Sequence, residues 1–240
     1  LQRLEAALGH GERVVTKVDF LVLFIPFEHW EIDAPAEIEP VFVDQAQVGA
    51  YIASLTARDP ATLNASAAFA YWVNLYNAVT VDTVLRAYPV SSIRDFGGNI
   101  LNGGPWRQKL VRVADTPLSL DDIEHGILRP IWREPRIHYA VNCAALGCPN
   151  LAAKAYTSDR LGRMLNEGAR AFVNHPRGAR RDGGDLRISS IYHWFKADFG
   201  GNDSGVIAHL KEFATDPRSS ELANVSRIAD HSYDWSLNGV

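Results

Sequence analysis

The segment RIHYAVNCAALGCP, from Arg136 to Pro149, places His138 five residues before Cys143, and Cys148 five residues after that. These are the only two cysteines of the chain, and no other segment gathers as much potential chemistry. Ile137, Tyr139 and Val141 alternate with His138 and Asn142, a spacing that predicts a strand. On such a strand His138 and Asn142 share a face and Cys143 lies near the exit. A thiolate nucleophile needs a neighbouring base to lower its pKa and a third group to orient that base. His138 or His125 fits the first role, and Asn74, Asn77 or Glu124 the second. Backbone amides after Cys143, or the amide of Asn77, would then face an oxyanion.

That arrangement is the logic of papain-like and transglutaminase-like hydrolases, although a histidine ahead of the cysteine requires a permuted version of either fold. The same residues support two other readings. A Cys143–Cys148 disulfide closes a small loop, is sterically possible, and suits an oxidising compartment. His138 then becomes a core histidine. Cys148 before Pro149 also fits a helix entry, where the helix dipole lowers a thiol pKa, so a redox-active pair is the third reading.

Other polar residues join or leave the chemistry by their spacing. Asn74 and Asn77 are three apart on one predicted helix and share a face beside Trp72 and Tyr76. Asparagine is a poor helix-interior residue, so the pair implies side chains held by specific hydrogen bonds, either as ties to loops or at a site. Glu124 and His125, being adjacent on a helix, point about 100° apart, which argues against both facing one metal. Neither His pairs at i and i+4 nor CxxC pairs occur, and no metal or cofactor is expected. Glu124 also reads as a carboxylate paired with Arg129 or Arg133. Trp194, Phe195, Asp198 and Phe199 recur at three and four, giving an aromatic face with one carboxylate. Asp198 would bind an arginine such as Arg94 or, pointing into a cleft, orient His138. Tyr76, Trp194 and Asp198 are the candidate binding residues.

The elements that must position these groups alternate between helix and short strand. Val48 to Leu55 has helical spacing and stops at Asp59-Pro60; Ser66 to Tyr88 is the longest amphipathic run and predicts a central helix ended by Pro89. Glycines 97, 98, 103 and 104 mark a loop, Lys109 to Val113 a strand, and Ser119 the cap of a helix that Pro130 ends. Thr157 or Ser158 would cap a helix from about Asp159 to Val173. After the Gly183-Gly184 turn come a strand over Leu186 to Ser189, a short helix over Ile191 to Phe199, a Gly200-Gly201 break and a helix over Val206 to Phe213. The tail carrying Tyr233 and Trp235 is too aromatic to be free in water and is expected to pack back on the body. The expected fold is one helix-rich α+β domain with a small β-sheet against the Ser66 to Tyr88 helix.

Composition sets the outer limits. A chain of 240 residues that is 47% hydrophobic buries a substantial core, and no low-complexity linker divides it. Its net charge of -4 gives no global argument for nucleic acid or an anionic membrane. The one local basic run, Arg177 to Arg181, reads as a solvated loop. Phe20 to Phe27 is the longest apolar stretch, but its length and Pro26 suit a buried or edge strand and not a membrane span. The chain starts at Leu1 without a signal peptide, as expected of a fragment or a processed form.

Several ordered blocks carry a resemblance to a known family. WVNLYNAVTVDTVL, GPWRQKLVRV with LSLDDIEHGILR, RIHYAVNCAALGCPNL, ISSIYHWFKADFGG and the terminal YDWSLN resemble bacterial members of the family called domain of unknown function 547. The resemblance spans roughly Val43 to Asn238, which divides the chain into residues 1–42, unlike the family, and a single domain over 43–240. The family's motif residues fall on Trp72, Asn74, Tyr76, Asn77, Glu124, His125, His138, Cys143, Cys148, Pro149, Trp194, Asp198 and Phe199. At His193 the chain departs from the pattern. The resemblance implies an exported protein, periplasmic or extracytoplasmic, but no established activity. Two functions follow as expectations. One is a Cys/His-dependent hydrolase or acyl transferase acting on an amide or thioester. The other is a non-catalytic exported module, stapled by Cys143–Cys148, that captures a small molecule or peptide.

Overall fold

The structure, a computed structural model, describes residues 45–96, 104–182 and 184–237. The expected Phe20 to Phe27 strand, the rest of residues 1–42, and Gly97, Gly98, Gly103 and Gly183 of the glycine turns lie outside them. The fold is helix-rich α+β, with sheets of two and three strands.

Helix α1, Gln45–Thr56, buries Val48 and Leu55. It stops where expected, because the Asp59 carboxylate accepts from the Ala61 amide and starts a 3-10 turn, Pro60–Thr62. Helix α2, Ala65–Ala87, begins at an Asn64 cap whose side chain accepts from the Ala67 amide. From Phe69 to Val84 nearly every side chain is buried, so this helix has no solvent face in its middle. Its two buried threonines keep their hydroxyls satisfied by donating back to carbonyls four residues earlier, Thr80 to Tyr76 and Thr83 to Val79. Tyr88 turns extended before Pro89 and ends the helix.

Strands β1, Val111–Val113, and β2, Thr116–Leu118, form an antiparallel hairpin. Ala114 and Asp115 both take positive φ at its tip, the pairing a two-residue type I′ turn requires. Val111 and Val113 point into the core around α2, so this small sheet does pack on the central helix.

Ser119 opens the next helix as expected: its hydroxyl accepts from the Asp122 amide while the Asp122 carboxylate accepts from the Ser119 amide. The helix itself differs from expectation. Asp122–Leu128 is a π-helix, with the Arg129 amide donating to the Glu124 carbonyl, and it runs straight into an α-helical turn, α3, Arg129–Trp132. Pro130 therefore does not end the helix. Having no N–H to donate, it costs least at a point where the bonding pattern already changes, and the wide π-turn before it takes up the mismatch.

The strand expected over Ile137 to Val141 is instead a 3-10 helix, Pro135–Tyr139. Pro135 fixes φ in the first turn, and the Glu134 side chain accepts from the Arg136 amide, so local capping overrides the alternating pattern. Helix α4, Leu161–Asn174, starts two residues later than expected, after a turn, and neither Thr157 nor Ser158 caps it through a side chain.

A second core lies beyond this point. Strands β3, Ala179–Asp182, and β4, Asp185–Ser189, pair antiparallel, and β5, Asp230–Ser232, adds parallel to β4. Ala179, Leu186 and Ile188 of this sheet pack with Phe172 of α4 and Leu210 of α6, Asp203–Phe213. Ser189 caps α5, Ser190–Trp194, which continues into a 3-10 turn, Lys196–Phe199. Gly200 and Gly201 then take φ of 90° and 80°, left-handed values that break the helix and that a side chain resists. A short helix α7, Arg218–Leu222, precedes β5.

The Arg177 to Arg181 run is not a solvated loop. Arg177 donates to the carbonyls of Leu146 and Cys148 and to the Asn150 side chain, and Ala179 onward is strand. Between them, Gly178 is buried, and a Cβ there would come within 2.0 Å of the Phe172 carbonyl oxygen. Gly178→Ala is expected to destabilise the domain by about 2 kcal/mol, because the obstacle is helix backbone and cannot rotate away. A drop in the urea midpoint at unchanged m-value measures this.

Candidate functional site

The π-helix, the 3-10 helix, the cysteine loop, α5 and the tail converge on one cleft. Its volume is about 650 Å³ including the mouth.

His138, only 1% exposed at its side chain, stands at the back wall. Its Nε2 lies 2.7 Å from Asp198 Oδ2, and its Nδ1 lies 3.8 Å from Glu124 Oε1. The ring stacks on Phe195, 4.3 Å between centroids and 14° from parallel. Arg129 completes the arrangement through two bonds to the Asp198 carboxylate, at 2.7 and 3.1 Å. The His138 bond, and then the Arg129 guanidinium, hold the Asp198 carboxyl well below the usual carboxylate range despite its partial burial. Asp198 thus holds His138, with Arg129 and not Arg94 as its arginine, but it does so from behind: unlike the expected binding residues Tyr76 and Trp194, it does not line the cleft.

Glu124 and His125 both face this cleft, against the expectation from their adjacency. A π-helix has more residues per turn than an α-helix, so neighbouring side chains diverge less. Glu124 is buried, at 8% exposure, and pairs with neither Arg129 nor Arg133. Its carboxylate lies 3.8 Å from both His125 Nδ1 and His138 Nδ1. Tyr76 lines the same space, and burial together with the Glu124 carboxylate pushes its phenol pKa well up.

The two cysteines are joined as a Cys143–Cys148 disulfide. Tyr233 covers it, with its hydroxyl 2.9 Å from the Cys143 sulfur and 3.1 Å from that of Cys148. Burial and the nearby Glu124 raise the Tyr233 pKa, keeping the phenol protonated at neutral pH. Three partners fix the loop. The Leu146 and Gly147 amides donate to the tail carbonyls of Ser236 and Asp234. The Arg177 contacts clamp its other side, and Asn142 spans the loop by donating to the Pro149 carbonyl while accepting from the Ala144 amide. Reduction is expected to cost about 2 kcal/mol, the loop-closure entropy a six-residue ring withholds from the unfolded chain. Urea unfolding with and without a phosphine reductant gives the difference directly.

Asn74 and Asn77 are not brought to the cleft. Asn74 exchanges two 2.9 Å bonds with the Tyr156 backbone, and Asn77 donates to the Ala140 carbonyl and accepts from the Asn142 amide, both at 2.8 Å. With those amides occupied, Asn77 positions the cysteine segment from behind. The nucleophile reading requires the disulfide first to be reduced, because neither cysteine is free, whereas the redox reading requires the bonded pair to be reachable and reducible.

Residues missed in the sequence supply much of the wall. Trp106, Asp121, Phe195, Tyr233 and Trp235 line the cleft beside the expected Trp194. The tail does pack back: Tyr233 and Trp235 lie 4.9 and 5.6 Å from Trp194, ring to ring. The aromatic tail was the one available signal, but nothing in its spacing told which surface it covers. Among the described residues no group of three metal-ligating side chains occurs, and no helix is long and apolar enough to cross a membrane.

Fold and site together define a helix-rich α+β domain whose disulfide-walled cleft holds a histidine between two carboxylates. Residues 60–173 match the model of the family described as "Protein of unknown function, DUF547". No curated protein and no solved structure matches the chain.

Proposed function

We propose that this protein is a non-catalytic binding module, exported to a periplasmic or extracytoplasmic site, whose cleft captures a small molecule or peptide. One observation carries the reading: the Cys143–Cys148 bond forms part of the cleft wall and is sealed by Tyr233. In that state the wall is a rigid apolar surface and Cys143 has no thiolate to offer. A disulfide in this place also favours an oxidising compartment. The aromatic lining suits capture, since such rings give large contact area with little conformational freedom to lose.

Thiol counting with mass mapping on native protein prepared without reductant tests this. Linked, unreactive Cys143 and Cys148, with a tryptophan fluorescence change on titrating small molecules or peptides, support the module. Free thiols in freshly isolated native protein refute it.

A second reading rests on a different observation, the His138 imidazole oriented by Asp198 on the cleft that Cys143 also lines. On reduction, a Cys/His-dependent hydrolase or acyl transferase acting on an amide or thioester would have its nucleophile and base on one surface. Rapid alkylation of Cys143 after reduction, lost in His138→Ala, would favour this reading.

A further inference from the structure

We propose that the cleft takes an organic cation, an alkylammonium or guanidinium group, seated against the Trp194, Tyr233 and Trp235 rings with its charge toward Glu124. The inference rests on the binding reading above and names its ligand class.

Charge comes first. The cleft is lined by the carboxylates of Asp121 and Glu124 and by no lysine or arginine. The other carboxylates nearby already have cationic partners: Asp198 has Arg129, and Asp122, outside the cleft, has Lys109. Asp121 has Arg107 at 3.5 Å, on a side chain that is largely exposed. Glu124, the most buried of them, has the Tyr76 hydroxyl as a hydrogen-bond donor and two histidine nitrogens at 3.8 Å, but no lysine or arginine within ion-pair distance among the described residues. A buried carboxylate on a solvent-connected cavity, without a fixed cation, favours a ligand that brings a positive charge.

Shape comes second. Trp194, Tyr233 and Trp235 form a contiguous aromatic wall, with ring centroids 4.7 to 5.6 Å apart, and Trp106 extends it 5.7 Å beyond Trp235. Trp194 is 45% exposed, although a tryptophan is normally covered when partners are at hand. Ring faces attract cations through their quadrupole, and tryptophan does so best. The protein already uses this attraction beside the cleft, where Arg94 lies 5.3 Å from the Trp235 ring and Arg129 4.7 Å from that of Phe195. Neither arginine lines the cleft. An anionic ligand would meet Glu124 and Asp121, and a neutral one would leave Glu124 without its counter-charge.

The test is a titration of the oxidised full chain followed by the indole N–H signals of its tryptophans, with four probes: n-butylamine, Nα-acetyl-lysine amide, Nα-acetyl-norleucine amide and Nα-acetyl-glutamate amide. The expected result is that the two cations perturb the cleft indoles and bind at least about tenfold tighter than the neutral and acidic probes. Glu124→Gln should remove that preference without changing norleucine amide binding, and Trp194→Leu, at an exposed position, should weaken both cations. If n-butylamine binds as well as the lysine derivative, the ligand is a free amine; a clear advantage for the lysine derivative makes it a peptide side chain. Equal binding of all four probes, or tighter binding of the neutral or acidic one, overturns the cation inference and leaves a binding module standing. No perturbation by any probe overturns both.

Discussion

Asp198→Ala is expected to cost about 3 kcal/mol of stability and to free the His138 ring from its stack on Phe195. Asp198 is the common anchor of Arg129 and His138, so its loss leaves one guanidinium and one buried imidazole without their acceptor. Removing one partner of a buried pair costs about 3 to 5 kcal/mol, chiefly because the survivor remains desolvated. The lower end applies here: Arg129 and Asp198 are each about a quarter exposed, at 25% and 26%, whereas His138 is 1% exposed. Asp198→Asn should do less harm, since an amide oxygen still accepts from one of the two donors. Urea denaturation of the three proteins checks the order. Equal stability of Asp198→Ala and the parent would show that the pair does not organise the back wall.

Acidification should remove about 3 kcal/mol between roughly pH 6.5 and pH 4, through His209. His209 is buried in the second core with its Nε2 2.7 Å from the Tyr139 hydroxyl. Burial lowers its pKa from 6.5 to about 4; Arg136 and His138 push the same way and Glu134 opposes them. The sign follows from proton counting. Between the two values the unfolded chain binds a proton that the folded chain refuses, so stability is complete above the unfolded pKa and falls as pH drops toward the folded one. His175, also held near 4 by burial first and then by Arg177 and Arg218, adds in the same direction. The carboxylates with depressed pKa act at lower pH: Asp122, brought to about 2 by the Lys109 ion pair, contributes only below the histidine window. Chemical denaturation across this range should show a slope that His209→Gln reduces. An unchanged slope would place the proton uptake elsewhere.

These two networks explain why the cleft keeps its shape. The Arg129–Asp198–His138 set joins the π-helix region to the turn after α5. The Asn77–Asn142 set joins α2 to the cysteine loop. The first set bridges the two cores and the second ties separate segments of the first, so the cleft lies where separate parts of the fold are tied together and not within one element.

Sequence by itself determined the elements with strong local causes. The central helix followed from its periodicity and from Pro89, the end of α1 from Asp59-Pro60, and the Ser119 cap from a hydroxyl before acidic residues. The small sheet against the central helix and the inward-packing tail were legible because alternation and aromatic cost are local or additive properties. Tertiary structure alone decided the rest. The alternation at Ile137 to Val141 imitated a strand, but Pro135 and Glu134 set a 3-10 turn, and side chains of two different cores then accepted its buried residues. The π-helix brought Glu124 and His125 to one cleft, a consequence of a hydrogen-bond register that residue types do not encode. Arg129 found Asp198 across 69 residues of chain, and Tyr233 found the disulfide across 85 or more. Such pairings depend on which surfaces meet when the cores close, and no spacing along the sequence carries that information.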